Sequence, residues 1–201
     1  MKRFGLGCAL LILLAAIPAY AGFGASLYVN QSSVAGSLMA DMDTGTGYGA
    51  MALGAEGVYK DDDFTMLSGI FAVKNDNFMP GIRYLVGFKG FYLDAEKSGG
   101  HLDNSATGLA FLFGMGYELD AGLNPLPIPV SVDGQLAASP KPLTWQEGEY
   151  YWEARAGLGF HVLSNATIRL DFRRLSAKFE DKGHSWSKDD YNVLLGYEIR
   201  F

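Results

Sequence analysis

From Glu149 to Val162 the chain alternates without a break between two faces. Tyr150, Trp152, Ala154, Ala156, Leu158, Phe160 and Val162 fall on one, and Glu149, Tyr151, Glu153, Arg155, Gly157, Gly159 and His161 on the other. Successive side chains of a β-strand point to opposite sides, so the run predicts one long strand with a greasy and a polar face. The last residues repeat the pattern, with Tyr191, Val193, Leu195, Tyr197, Ile199 and Phe201 against Asn192, Leu194, Gly196, Glu198 and Arg200. Between 107 and 118, Thr107, Leu109, Phe111, Phe113, Met115 and Tyr117 oppose a face that is mainly small (Gly108, Ala110, Leu112, Gly114, Gly116). Segments 46 to 59, 64 to 74, 81 to 94, 127 to 138 and 167 to 179 read the same way. A soluble sandwich buries its apolar faces and carries no long aromatic outer stripe. Faces this rich point instead to a closed barrel, with lipid outside and small or polar residues in a narrow bore.

The predicted fold is therefore all-β, an antiparallel transmembrane β-barrel of eight strands over residues 46 to 201. Membrane barrels join strands by short turns on the periplasmic side and longer loops outside. Asp61-Asp62-Asp63, Asp94 to Asn104, Ser139 to Gly148 and Glu180 to Asp190 become external, and the connections near 75 to 80, 120 to 125 and 164 to 166 periplasmic. Residues 22 to 45 are left over from this count. They form either a leader or, since Ser26, Tyr28 and Asn30 alternate with Leu27 and Val29, one more hairpin over 24 to 31 and 33 to 42. A ten-stranded barrel is the alternative.

The amino terminus agrees with export. Lys2 and Arg3, an apolar run from Leu10 to Ile17, and Ala19-Tyr20-Ala21 form a cleaved signal peptide over residues 1 to 21. The apolar run is too short for a membrane helix and Pro18 closes it. Cleavage removes the single cysteine and leaves 14 basic against 22 acidic residues, a net charge of −8. A cysteine-free acidic chain suits an oxidising compartment and argues against nucleic-acid binding.

Alternation turns Arg83, Lys89, Asp133, Glu153, Arg155, Arg169, Asp171, Arg173, Glu198 and Arg200 into the lumen. Unpaired charges in a confined interior are costly, so these must form a salt-bridge plug or line a hydrated constriction. Tyr59, Phe64, Tyr92, Tyr150, Trp152, Phe179 and Tyr191 fall at external strand ends, and Phe78, Tyr117, Phe160 and Phe201 at periplasmic ones, which predicts two headgroup girdles. Trp145 and Trp186 sit in external loops, where an interfacial or loop-packing role outweighs carbohydrate stacking.

No enzyme is predicted. His161-Val162-Leu163-Ser164-Asn165 resembles the His-x-Ser-Asn pattern of lipid A deacylases with one residue too many, which turns His161 and Ser164 to opposite faces of a strand. No metal site or cofactor is expected: His101 and His184 belong to different loops and His161 to the other end, while Asp61 to Asp63 and Asp189-Asp190 read as solvated loop tips. The glycines between 45 and 57 lack the lysine and helix of a phosphate loop.

Gly87-Phe88-Lys89-Gly90-Phe91-Tyr92-Leu93, the run from Tyr151 through Ala154, Arg155, Ala156 and Gly157, and the final strand together resemble the YfaZ family of predicted outer-membrane proteins. The resemblance covers about the carboxy-terminal two thirds and implies a small porin-like or structural barrel with no catalytic residues to carry over. The ending Gly196-x-x-Ile199-x-Phe201 also resembles the signal read by the barrel-assembly machinery, with Leu194 departing from the usual polar residue. The expected protein is a structural or narrow porin-like barrel in the outer membrane of a Gram-negative cell, contacting its lipids and lipopolysaccharide. Adhesion through the external loops is the alternative.

Overall fold

Period-two alternation becomes strand almost throughout the computed structural model, which describes residues 21–44, 49–61, 63–79, 81–96, 103–119, 124, 126–181 and 184–201. Of the expected signal peptide over 1 to 21 only Ala21 is described; Gly45, Asp62, His101, residues 97–102, 120–123, 125, 182 and 183 and the side chain of Phe78 lie outside the described residues, and the expected external loop from Glu180 to Asp190 is strand on both sides of 182–183. The strands are β1 (Ala21–Val29), β2 (Ser33–Asp43), β3 (Ala50–Lys60), β4 (Phe64–Met79), β5 (Ile82–Glu96), β6 (Asp103–Glu118), β7 (Val130–Ser139), β8 (Thr144–Gln146), β9 (Gly148–Leu163), β10 (Ala166–Asp181) and β11 (His184–Arg200).

Ten of these close on themselves. Each long strand pairs antiparallel with its neighbours in the chain, β7 pairs with β9, and β11 returns to β1 through Leu27↔Tyr197 and Ser26↔Glu198. The three-residue β8 pairs only with β6 and lies outside the cycle. Its detachment is local chemistry: Pro140 and Pro142 have no N–H to give a ladder, so the chain leaves β7 through a 3-10 turn at Lys141–Leu143. The Ser139 hydroxyl closes that turn on the Leu143 carbonyl at 3.1 Å and meets the Thr144 hydroxyl at 2.9 Å. Followed once round the cycle, the pairing returns displaced by about twelve residues, which tilts the strands by roughly 40°.

The eight-strand count is corrected to ten. The segment between 22 and 45 is neither a leader nor a plug but the β1–β2 hairpin, in register from Ala21↔Met42 to Val29↔Val34. Its turn contains no glycine: the Asn30 carboxamide oxygen accepts from the backbone of Ser32 (2.9 Å) and Ser33 (2.7 Å) and from the Ser33 hydroxyl (2.9 Å). An asparagine that bonds the backbone two and three residues on makes the reversal by itself.

Both described chain ends lie at one rim, called proximal here, and the β3–β4 and β10–β11 connections at the other, distal rim. The outer wall carries an apolar belt that includes Leu27, Leu67, Val86, Phe111, Leu170, Val193 and Leu195, all exposed. The buried hydrophobic cluster sits inside the distal half of the bore, where Phe64, Met66, Leu93, Tyr151, Leu175 and Phe179 meet.

Candidate functional site

Period-two placement puts Glu56 of β3, Lys89 of β5, Glu153 and Arg155 of β9 and Arg173 of β10 on the inner wall near mid-height, where they form one buried cluster. Lys89 Nζ donates to Glu153 at 2.5 Å and to Glu56 at 3.1 Å. Arg155 donates to Glu56 and, at 3.3 Å, to Glu153, which also accepts from the Tyr151 hydroxyl at 2.6 Å. Arg173 is the least satisfied member: its Nε lies 2.7 Å from Glu153 but out of line for a hydrogen bond, and Nη1 has no partner among the described residues. Three cations thus face two carboxylates in a layer that crosses the bore. Buried charge is tolerated only when neighbouring charge and hydrogen bonds compensate its desolvation, which the layer achieves except at Arg173 and at Arg155 Nε, also without a hydrogen-bond partner among the described residues.

Above this layer the distal half is filled. Phe91 stacks on Tyr151 with ring centroids 4.1 Å apart, and Phe179 on Trp186 at 4.8 Å. Trp186 donates its indole N–H to Asn104 at 2.8 Å. Near the distal rim Lys60 binds Asp190 and Asp63, the latter at 2.9 Å, while Lys188 binds Asp63.

Below the layer the bore is open. A cavity of about 310 Å³ reaches the proximal rim, with Tyr28, Met39, Ile70, Leu85 and Gln135 among its walls. Its charges are arranged in pairs: Lys74 donates to both Asp41 oxygens (2.6 and 2.7 Å), Arg169 to both Asp133 oxygens (2.5 and 2.6 Å) and to Asp171 (3.2 Å), and Arg200 to Glu198 (2.8 Å). The group rests on Gly157, where a Cβ would come within 2.5 Å of both Arg169 and Asp171. At the mouth the two ring nitrogens of His161 meet the hydroxyls of Ser131 (3.1 Å) and Thr167 (3.0 Å).

All ten charged residues assigned to the lumen take inward positions, in two groups. Lys89, Glu153, Arg155 and Arg173 make the mid-height layer, and Arg83, Asp133, Arg169, Asp171, Glu198 and Arg200 surround the proximal cavity. Missing from that set is Glu56, although its inward parity with Ala52 and Val58 was readable. Asp190 is not a solvated loop tip but is buried against Lys60. Phe64 and Phe179 are not girdle residues but buried core, while Trp186 packs on Phe179, in line with the loop-packing reading. Tyr59, Tyr92 and Tyr191 do face outward. Between Trp152 and Tyr191, on the outer wall, lies the Arg174 guanidinium, 4.7 and 4.8 Å from the two ring centroids. At Gly196 the Tyr28 ring of β1 covers the backbone at the seam where the barrel closes.

No family model and no curated protein matches the chain. Among solved structures, the translocator domain of the autotransporter NalP from Neisseria meningitidis is similar at 11% identity and a TM-score of 0.36, over 100% of this chain and 96% of that one.

Proposed function

We propose that this chain is an outer-membrane β-barrel protein of structural role, whose bore is shut to solutes. The observation that carries this is the filling of the lumen: the ionic layer of Glu56, Lys89, Glu153, Arg155 and Arg173 crosses it, and aromatic and aliphatic side chains occupy the space above. Ten strands enclose a wider bore than eight, and here long side chains take up the difference. The exposed apolar belt, interrupted by Arg174 at the level of Trp152 and Tyr191, supports a membrane location with one boundary at that ring of aromatics. Outer-membrane lipids and lipopolysaccharide are then its surroundings. Delivery by the barrel-assembly machinery through Gly196, Ile199 and Phe201, and a place among the YfaZ-type barrels, belong to the same proposal.

Planar-bilayer recording tests it. The refolded mature protein, shown to be β-structured by circular dichroism, is expected to give no conductance steps. Stable steps from wild-type protein would overturn the closed-bore reading in favour of a narrow porin. A selectivity change on Arg155→Ala, Arg169→Ala would then identify the lining.

A further inference from the structure

The proximal cavity exists because two inward positions of β6 carry no side chain. Gly114 and Gly116 lie between Leu85 and Arg83 of β5 on one side and Gln135 and Asp133 of β7 on the other. Three other inward glycines are required by packing: a Cβ at Gly157, Gly196 or Gly87 would come within 2.5 Å of a neighbour. At Gly114 and Gly116 a Cβ would meet nothing closer than 3.4 and 3.6 Å, so a side chain could be accommodated and the space is left open instead.

What faces this space is chemically specific. Every carboxylate around it has a cation, as described above for Asp41, Asp133, Asp171 and Glu198, and as Glu56 has Arg155. The Arg83 guanidinium, which lies beside Gly116, has no hydrogen bond or ion pair with any described residue, and neither does the Gln135 carboxamide. Leu85, Ile70 and Met39 supply an apolar flank in the same cavity. A free planar donor fork beside an apolar wall is the recognition chemistry of a carboxylate, and the volume is at the small end of ligand pockets.

We infer that the proximal half of the bore is a binding pocket for a small organic anion, its anionic group on Arg83 and Gln135 and its apolar body against Leu85, Ile70 and Met39. The pocket needs only the barrel wall and does not depend on whether the bore above it is shut. Entry is from the proximal rim, where Arg200 is exposed.

Titration calorimetry of the full mature chain in detergent tests this with three probes: benzoate, inorganic phosphate and the cation benzylamine. Saturable benzoate binding is expected, weakened at least about tenfold by Arg83→Gln, because a charge-assisted pair is lost. Gly114→Leu, which fills the space, should abolish it. Arg83 supports no other residue, so its variant is expected to unfold at the wild-type denaturant concentration, and that is measured alongside. Absence of saturable benzoate binding, binding undiminished in Arg83→Gln, phosphate binding without benzoate, or benzylamine binding as tight as benzoate would each overturn the assignment. Bilayer recording is a separate readout, so a conducting barrel and an empty pocket are distinguishable failures.

Discussion

Two substitutions in the mid-height layer should have opposite effects on stability. Glu153 accepts from Lys89, Tyr151 and Arg155 and also faces Arg173, so Glu153→Gln leaves Lys89, Arg155 and Arg173 with Glu56 alone. Removing one partner of a buried ionic group costs about 3 to 5 kcal/mol, because the remaining charge stays desolvated. Arg173 is 1% exposed, has Nη1 and Nε without hydrogen-bond partners among the described residues, and touches Met66 Sδ at 3.8 Å. Arg173→Met removes the surplus cation, leaves two cations with two carboxylates, and places a flexible apolar chain against an apolar neighbour. Replacement of a poorly compensated buried ion in this way is neutral or stabilising, by about 0 to 3 kcal/mol. Urea unfolding in lipid vesicles, followed by fluorescence of Trp145, Trp152 and Trp186, measures both. If Arg173→Met destabilised the barrel as much as Glu153→Gln, the arginine would be fully compensated and this view of the layer would be wrong.

Gly196→Val should impair closure of the barrel, because a Cβ there would lie 2.3 Å from the Tyr28 ring, and Tyr28→Ala should restore it; folded and unfolded fractions on unheated gels report this. At the distal end, hydrogen bonds from Lys141 and Lys178 hold the Glu149 carboxyl down at about 2, from an ordinary 4.5. A depressed folded-state value means the unfolded chain takes up the proton first. The contribution of this group is therefore present above about pH 4.5 and lost as pH falls toward 2, and Glu149→Gln should remove that part of the acid dependence measured by Trp145 fluorescence.

Much of this barrel was legible from alternation. The runs of β6, β9 and β11 each separate a greasy from a small or polar face, and the inward parity of Arg83, Lys89 and the rest followed directly. The β1–β2 hairpin was harder to read because Gly22, Gly24, Ala25, Ser26, Ala35, Gly36 and Ser37 put small residues on both faces, so the period-two contrast fades. Phe64 and Phe179 were misplaced by their position: an aromatic at a strand end fits a girdle, and only strict parity with Met66 or Ala177 shows that it points inward. The pairing of Lys89 with Glu153 and of Arg155 with Glu56 crosses the bore between strands that are not neighbours. Such partners depend on the closed register, which no local pattern encodes.

That register is what the mid-height layer protects. Its members come from four strands and sit 33 to 99 residues apart in the chain where they bond across the bore, so those contacts cannot form before the wall has closed. A slip of one residue on β9 would turn Glu153 and Arg155 out onto the apolar outer wall and carry Trp152 and Ala154 into the bore. The five charges thus act as a lock with a single keyed position, and mispaired barrels are excluded by the same groups that close the channel.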